Sequence, residues 1–469
     1  MSDEKSADDQ ALIDAGYTPR LQRSLGSFAS FAIGFSDMSV LMGIFANFGY
    51  MLGKAGPFGT WTWPAVGCGQ FLVALVFAEL SGRVPLTGAI YNWNSKLFSP
   101  RIGWFTAWML FLAYCIGGAG IITAIVTPLQ TLLGVTFDAT TLDVVGCAII
   151  LSHMAINIYG VRLAASLNKL AVVAEIVALA LFGGALLAVV LLHGEARIDL
   201  LTAVPKRPLP YWPGFLLASL LAAWTIIGFE LPSDLSEETK NAKNIAPRSI
   251  LSAVISSVIL GGLFLAILIL AIPDVARITA SPDPISAIVA YHLGGAATKI
   301  FLVFVLIAMF ALALLVMAAT ARILYAVARD ERIPGAARLA SVSKHKVPAP
   351  AIFLVTAIEL AIFLTARSAT DLYAATTVLF FIAYLITVVG FANGFGKLPP
   401  EGGFSLGKWR MPVVALAALW LAFMIGVLTI PAEFHRAAEI AAVVLVAGLA
   451  LAFGIRSTQT DKPRDFPVP

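Results

Sequence analysis

The chain has 469 residues, 59% of them hydrophobic and only 12% charged, with a mean hydropathy of +0.90. A soluble domain carries about 25% charged residues, so the composition excludes a soluble globular protein and specifies an all-α polytopic membrane protein. The net charge of +4 is small and the basic residues fall in short loops, which argues against a nucleic-acid partner; Cys68, Cys115 and Cys147 lie in apolar surroundings without metal-ligand spacing, so neither a metal nor a disulfide framework is expected.

Residues 1–24 are charged and aperiodic, a cytoplasmic tail in this reading. No small-residue cleavage site follows the first apolar stretch, so no removable signal peptide is expected. Segment 1 (25–52) is long enough to cross a bilayer at about 1.5 Å per residue. Yet Ser36, Asp37 and Ser39 are polar, with Gly34 and Gly43 on either side. An ionised Asp at membrane depth must face protein or water, and glycines with hydroxyls in mid-span mark a broken helix whose freed backbone groups can bind a solute. Lys54-Ala55-Gly56-Pro57 then makes a turn. Segment 2 (60–80) ends at Glu79, and segment 3 (103–133) is long enough to tilt. Segments 4 (142–160) and 5 (167–192, with Glu175) precede segment 6 (213–233), which closes on Gly228-Phe229-Glu230-Leu231-Pro232. Segment 7 (249–272), a long loop (273–298) with room for a short interfacial helix, and segments 8 (299–327), 9 (350–366), 10 (371–394), 11 (411–430) and 12 (437–455) complete about twelve spans.

Basic residues set the orientation. With the N-terminus inside, the cytoplasmic loops hold Arg83, Lys96 and Arg101; Arg162 and Lys169; Lys240, Lys243 and Arg248; and Arg329, Arg332, Arg338, Lys344 and Lys346. The 3–4 loop has no Lys or Arg, and the external 5–6 loop, with Arg197, Lys206 and Arg207, runs against the trend. The balance places both termini in the cytoplasm. Segments 1 and 6 both join an acidic residue to helix breakers. Their odd offset inverts one unit relative to the other, the pattern of a transporter built from two inverted halves.

Four stretches carry a resemblance to a known family. They are Ser36 to Phe45, Phe77 to Tyr91, Trp224 to Glu230 followed by Leu235 to Asn241 and Pro247-Arg248, and Arg322 to Asp330 with Pro334. The chain resembles the amino acid–polyamine–organocation superfamily, and is most like its amino acid and choline transporter branch, over residues 20–400. The resemblance implies a LeuT-like fold of five-plus-five inverted repeats (25–193 and 212–395), two peripheral helices (411–456) and a C-terminal tail (457–469). It further implies that backbone amides of the first broken helix hold a substrate carboxylate and carbonyls of the sixth hold an amine. Helix-end electrostatics favour the same placement. On this sequence the site falls on Ser36, Asp37, Ser39, Val40, Leu41, Met42 and Gly43, and on Ile226, Ile227, Gly228 and Glu230, with Tyr114 and Trp224 as aromatic faces for a cation. Two positions depart from the family: Met42 stands where a Thr is expected, and Asp37 where a small uncharged residue is.

Asp37 and Glu230 put negative charge on both broken helices, so a cationic amine or amino acid is the expected substrate. Helical hydrogen bonding is expected to fail at Ser39–Gly43 and at Ile227–Pro232, with the breaks facing each other. Asp37 and Glu175, with Glu230, are the coupling and gating candidates. By the resemblance, Glu175 falls where some proton-coupled members place a Lys, and Asp37 and Glu175 are expected to meet and share a proton, because two close carboxylates in low dielectric cannot both ionise cheaply. Sodium is the less favoured ion because Ala308–Ala319 offers no hydroxyl. The plainer readings assign His153 to core packing, Asp234, Glu237 and Glu238 to a solvated helix exit, Arg329-Asp330 to a cytoplasmic anchor, and Glu359 to no named partner. Function on this reading is a proton-coupled secondary transporter in the plasma membrane, without ATP or cofactor. The alternatives are a sodium-coupled or exchange-type carrier of neutral amino acids and, in other classes, a channel or an integral membrane enzyme.

Overall fold

The computed structural model describes residue 23 and residues 25–159, 161–204, 211–331, 333–343, 347–366, 368–399 and 402–454. The expected tails, apart from Arg23, fall outside these residues, as do Lys206, Arg207, Arg332, Lys344, Lys346 and the side chain of Arg162. In chain order the helices are α1 (Ser27–Met38), α2 (Val40–Ala55), α3 (Thr62–Arg83), α4 (Ala89–Leu97), α5 (Pro100–Leu133), α6 (Ala139–Tyr159), α7 (Val161–Leu192), α8 (Tyr211–Ala218), α9 (Leu220–Thr225), α10 (Leu231–Asp234) and α11 (Ala242–Leu270). They continue as α12 (Val275–Thr279), α13 (Pro284–Arg329), α14 (Ala336–Leu339), α15 (Ala349–Thr365), α16 (Ala369–Gly394), α17 (Arg410–Val427) and α18 (His435–Gly454). Among the described residues ten helical stretches are long and apolar enough to cross a membrane, with α1 and α2 together forming one. Helices meet the requirement that backbone groups in lipid be satisfied within the segment.

Two expected segments have no such stretch. Segment 6 is divided into α8, α9 and α10, and segment 9 is the shorter apolar α15. The loop expected over 273–298 is mostly helix. Asp283 caps α13 by accepting from the Ser286 N–H at 3.1 Å, Pro284 occupies the first turn, and the chain runs to Arg329 with one interruption, at Gly294 (φ 80°, ψ 171°). Segment 7 starts early, at Ala242, and the expected 2–3 loop contains α4.

Helix α5 lies at the centre, packed against α13 and α16; α11 joins α1 to α3; α7 lies along α13 and α1. The helices α17 and α18 sit outside this group, α17 on α16 and α3, α18 on α16 and α5. One polar cluster ties this outer layer to α3. Glu79 is fully buried. Its Oε1 accepts from Arg83 Nε and Nη2 at 3.1 and 2.8 Å and from Arg410 Nη2 at 3.2 Å, and its Oε2 accepts from the Leu406 N–H at 3.0 Å. Both guanidiniums lie over the Phe395 ring, 4.2 Å (Arg83) and 3.4 Å (Arg410) from its centroid. Removing one member of a buried ionic cluster costs about 3–5 kcal/mol because the remaining charges lose their counterion. Glu79→Ala should therefore lower the thermal unfolding midpoint of the detergent-solubilised protein sharply, while Lys408→Ala, on the exposed side of the same linker, should leave it within a degree or two, at about the ±0.5 kcal/mol scale of surface changes. Equal midpoints for wild type and Glu79→Ala would show that the cluster does not hold the outer layer.

Candidate functional site

The first helix breaks at one residue. Ser39 adopts φ 29°, ψ 78°, a backbone conformation L-residues rarely take, and the chain restarts at once as α2. Gly43 already donates to the Ser39 carbonyl at 2.9 Å. The break is thus shorter than the expected Ser39–Gly43, and Gly43 serves another purpose. A Cβ there would stand 2.1 Å from Thr225 Oγ1, so this glycine lets α2 approach α9. The second break spans residues 226–230 rather than 227–232. Helix α9 ends at Thr225, Gly228 takes φ 77°, and α10 opens at Leu231 with Pro232 in its first turn, where its missing N–H loses nothing. Pro232 starts a helix; it does not break one.

The two breaks meet. A Cβ on Gly228 would lie 1.8 Å from Asp37 Oδ2, so only a glycine admits the Asp37 carboxyl at this distance. Beside this contact is a cavity lined by Asp37, Met38 and Met42, by Trp224, Ile227 and Gly228, by Tyr114, Gly117 and Ile121 of α5, by Leu312 and Val316 of α13, and by Thr376 and Phe380 of α16. Asp37 Oδ2 accepts from the Tyr114 hydroxyl at 3.2 Å, whereas Oδ1 is buried and makes no hydrogen bond. Tyr114 meets Phe380 edge-on with ring centroids 4.9 Å apart, and Trp224 stacks on Tyr373 at 4.4 Å. Among the lining residues there is no Lys, Arg or His. One carboxylate among aromatic faces and thioethers is a setting that holds an organic cation, by charge-assisted hydrogen bonding and cation–π attraction.

The other expected site residues lie behind this lining. Ser36 donates to Asn168 Oδ1 of α7 at 2.8 Å, and Ser39, Val40, Leu41 and Ile226 are buried without lining the cavity. Glu230 is 1% exposed. Its Oε2 accepts a short hydrogen bond from the Tyr384 hydroxyl, which in turn accepts the Gly228 N–H at 2.9 Å, so Glu230 is linked to the second break through one phenol; its Oε1 makes no hydrogen bond. The expected Asp37–Glu175 pair does not form. Glu175 Oε1 accepts from the Leu41 N–H at 2.9 Å, and Asp37 turns the other way, to Tyr114 and Gly228. The freed amide of α2 draws Glu175 more strongly than a second carboxylate would.

Sequence reading missed Gly117, Ile121, Leu312, Val316, Thr376, Phe380 and Tyr384, which arrive from α5, α13 and α16 and carry no local signal of their role. Glu359 faces the backbone of α5, its Oε1 standing 2.6 Å from where a Gly118 Cβ would be. His153 packs edge-on against Phe310 at 4.3 Å, in keeping with a core role. Asp234 and Glu237 are not solvated as expected. They are 8% and 3% exposed because they face α13, whose Arg322 and Arg329 approach Glu238 and Glu237 to 3.7 and 3.9 Å. Arg329-Asp330 belongs to this group of charged contacts, since Arg329 approaches Glu237 and Tyr91 of α4 donates a short hydrogen bond to Asp330.

Comparison with known proteins gives a family match and a set of relatives, among them two amino-acid permeases and a thiamine transporter. A family model described as amino acid permease matches residues 25–451. The chain is similar to the amino-acid permease BAT1 homolog of Oryza sativa subsp. japonica, 24% identical over 90% of this chain and 88% of the relative. It is similar to amino-acid permease BAT1 of Arabidopsis thaliana, 24% identical over 91% of this chain and 89% of that protein. It is also similar to the thiamine transporter thi9 of Schizosaccharomyces pombe, 26% identical over 90% of this chain and 80% of that protein.

Proposed function

Because the chain belongs to the amino acid permease family, we propose that it is a secondary active transporter that carries a cationic amine or amino acid through the cavity between its two broken helices. The observation that carries the charge preference is Asp37, a carboxylate with one oxygen free of hydrogen bonds, in a lining that holds no basic side chain. In a poorly screened cavity that charge favours a cation by Coulomb attraction. One relative is named for thiamine, itself an organic cation.

In this reading α1–α2 and α8–α10 are the corresponding first helices of two inverted five-helix units, 25–193 and 212–395, with residues 411–456 peripheral and both termini cytoplasmic in the plasma membrane. The cavity is then exposed to each side in turn. The seal of Arg322, Arg329, Glu237, Glu238, Tyr91 and Asp330 closes the cytoplasmic side. Protons drive the cycle. Asp37 holds the cation, and Glu230, one phenol away across Tyr384, carries the proton. Supporting protons over sodium, α13 offers no hydroxyl from Ala308 to Ala319, and Thr320 spends its own on the Val316 carbonyl at 2.7 Å.

The test is uptake of radiolabelled lysine and putrescine into proteoliposomes under imposed gradients. An inward proton gradient should drive accumulation of at least one of them and a sodium gradient should not; preloaded internal substrate should accelerate entry, as a carrier requires. Glu230→Gln should abolish proton-driven accumulation yet retain exchange. Accumulation driven by sodium alone, or a Glu230→Gln protein that still concentrates substrate on a proton gradient, refutes this assignment of the coupling ion.

A further inference from the structure

A second cavity lies beside α10 and α13. Leu231, Asp234 and Leu235 line it from one element, and Leu315, Ala319 and Arg322 from the other. The same two stretches of chain line the first cavity, through Ile227 and Gly228 just before α10 and through Leu312 and Val316 on α13. Along each of them the second lining continues the first. From Val316 to Arg322 the step is about 9 Å, at about 1.5 Å per residue. It leads toward the end of α13, where Arg329 approaches Glu237. In the transport reading the second cavity thus stands between Asp37 and the cytoplasmic seal.

Its walls are apolar apart from one acid, Asp234, and one base, Arg322. Asp234 is 8% exposed. Its carboxyl forms no ion pair within 4 Å among the described residues, and the base that acts on it is Arg322. That base is loosely held. Its Nε stands 3.7 Å from Glu238 Oε1, its Nη1 reaches the Ala318 carbonyl at 3.4 Å, and its side chain is 37% exposed. An ion pair this long and this exposed is weak, so another cation can displace the guanidinium at little cost. A carboxylate as buried as Asp234, in contrast, needs a positive neighbour.

We propose that Asp234 is a second binding site for the transported organic cation, entered after Asp37 on the way to the cytoplasm, and that Arg322 serves it as a tethered cation until the solute arrives. The proposal rests on the reading of the Asp37 cavity as the transport site and adds a station to its path. The ammonium group passes from one carboxylate to the next, and the alkyl part of the solute lies against Leu231, Leu235 and Leu315. Arg322 is the partner of Asp234 before the solute enters and again after it leaves.

The experiment is exchange of labelled putrescine in right-side-out and inverted membrane vesicles that contain the full-length protein. The half-saturating concentration is read from each face, with the opposite face saturated. Asp234→Asn should raise the cytoplasmic value about tenfold, the scale of a lost charged hydrogen bond, and leave the external value within about twofold. Asp234→Glu keeps the charge and should stay within about threefold of wild type on both faces. Ala319→Val narrows the same cavity without altering a charge and should raise the cytoplasmic value alone, by about threefold. A residue that only biased the balance between outward-facing and inward-facing forms would move the two values in opposite directions. That result overturns the site, as does an unchanged cytoplasmic value in Asp234→Asn or an equal rise on both faces; each leaves the Asp37 cavity standing as the transport site. If wild type exchanges neither putrescine nor lysine, the transport reading fails and the inference falls with it. Where Asp234→Asn does not fold, Ala319→Val decides, and no rise on the cytoplasmic face overturns the proposal.

Discussion

Asp37→Asn should reduce uptake of a cationic solute by about 100-fold, the scale of removing a charge-assisted hydrogen bond from a poorly solvated site. The substitution is close to isosteric. An Asn carbonyl still accepts from Tyr114, so the cavity wall and the Gly228 approach are preserved and only the charge is removed. The effect should fall on affinity for cations, measured as a rise in the half-saturating concentration and the loss of ligand-induced thermal stabilisation. The unliganded unfolding midpoint should stay near the wild-type value. Uptake within threefold of wild type would rule out Asp37 as the cation's counter-charge.

Gly228→Ala should abolish transport outright. The added methyl would sit 1.8 Å from Asp37 Oδ2 and 2.8 Å from its Cγ, so either the carboxyl leaves or the second break moves. The residue would also be held at φ 77°, which costs about 1–2 kcal/mol for any side chain. Gly294 separates these two effects. It has φ 80° but nothing within 4 Å of its Cβ position, so Gly294→Ala carries the strain without the collision. Gly294→Ala should lower the unfolding midpoint modestly and keep transport; Gly228→Ala should lose transport at a comparable midpoint. Both Gly228→Ala and Asp37→Asn act through one carboxyl, so the double variant should be no worse than the more damaging single one. Equal activity for the two glycine variants would mean that the Gly228 approach is not functional.

Much of this arrangement is legible in the residues. Polar groups in mid-segment announce a break because the bilayer tolerates them only where a cavity or protein receives them, and that logic places both breaks within a few residues of where they occur. What fails is the assignment of individual residues. Gly43 and Pro232 have strong local signatures, yet one is a packing position and the other a helix opener; the first helix breaks at Ser39, the leading edge of the expected Ser39–Gly43 stretch. Glu175 does reach the first break, but its partner there is an amide and not Asp37. A carboxylate chooses between an amide and another acid by three-dimensional placement, which spacing along the chain does not encode. Apart from Tyr114, the lining residues from α5, α13 and α16 are invisible for the same reason. They are ordinary apolar and aromatic residues, with one threonine, until the packing of three distant helices brings them to one wall.

The cluster around Glu79 bears on how the chain is made. Arg410 lies 331 residues beyond Glu79. At roughly 5–20 residues per second, a ribosome takes about 15–65 s to supply it. Throughout that interval α3 already holds a buried acid, and the charge that completes its cluster does not yet exist. Arg83 bridges the wait. Four residues on, one helical turn away, it binds Glu79 with no help from the rest of the protein. The helix can thus be released into the bilayer as a neutral unit, and Arg410 locks it into the bundle only after the helices between them have been made.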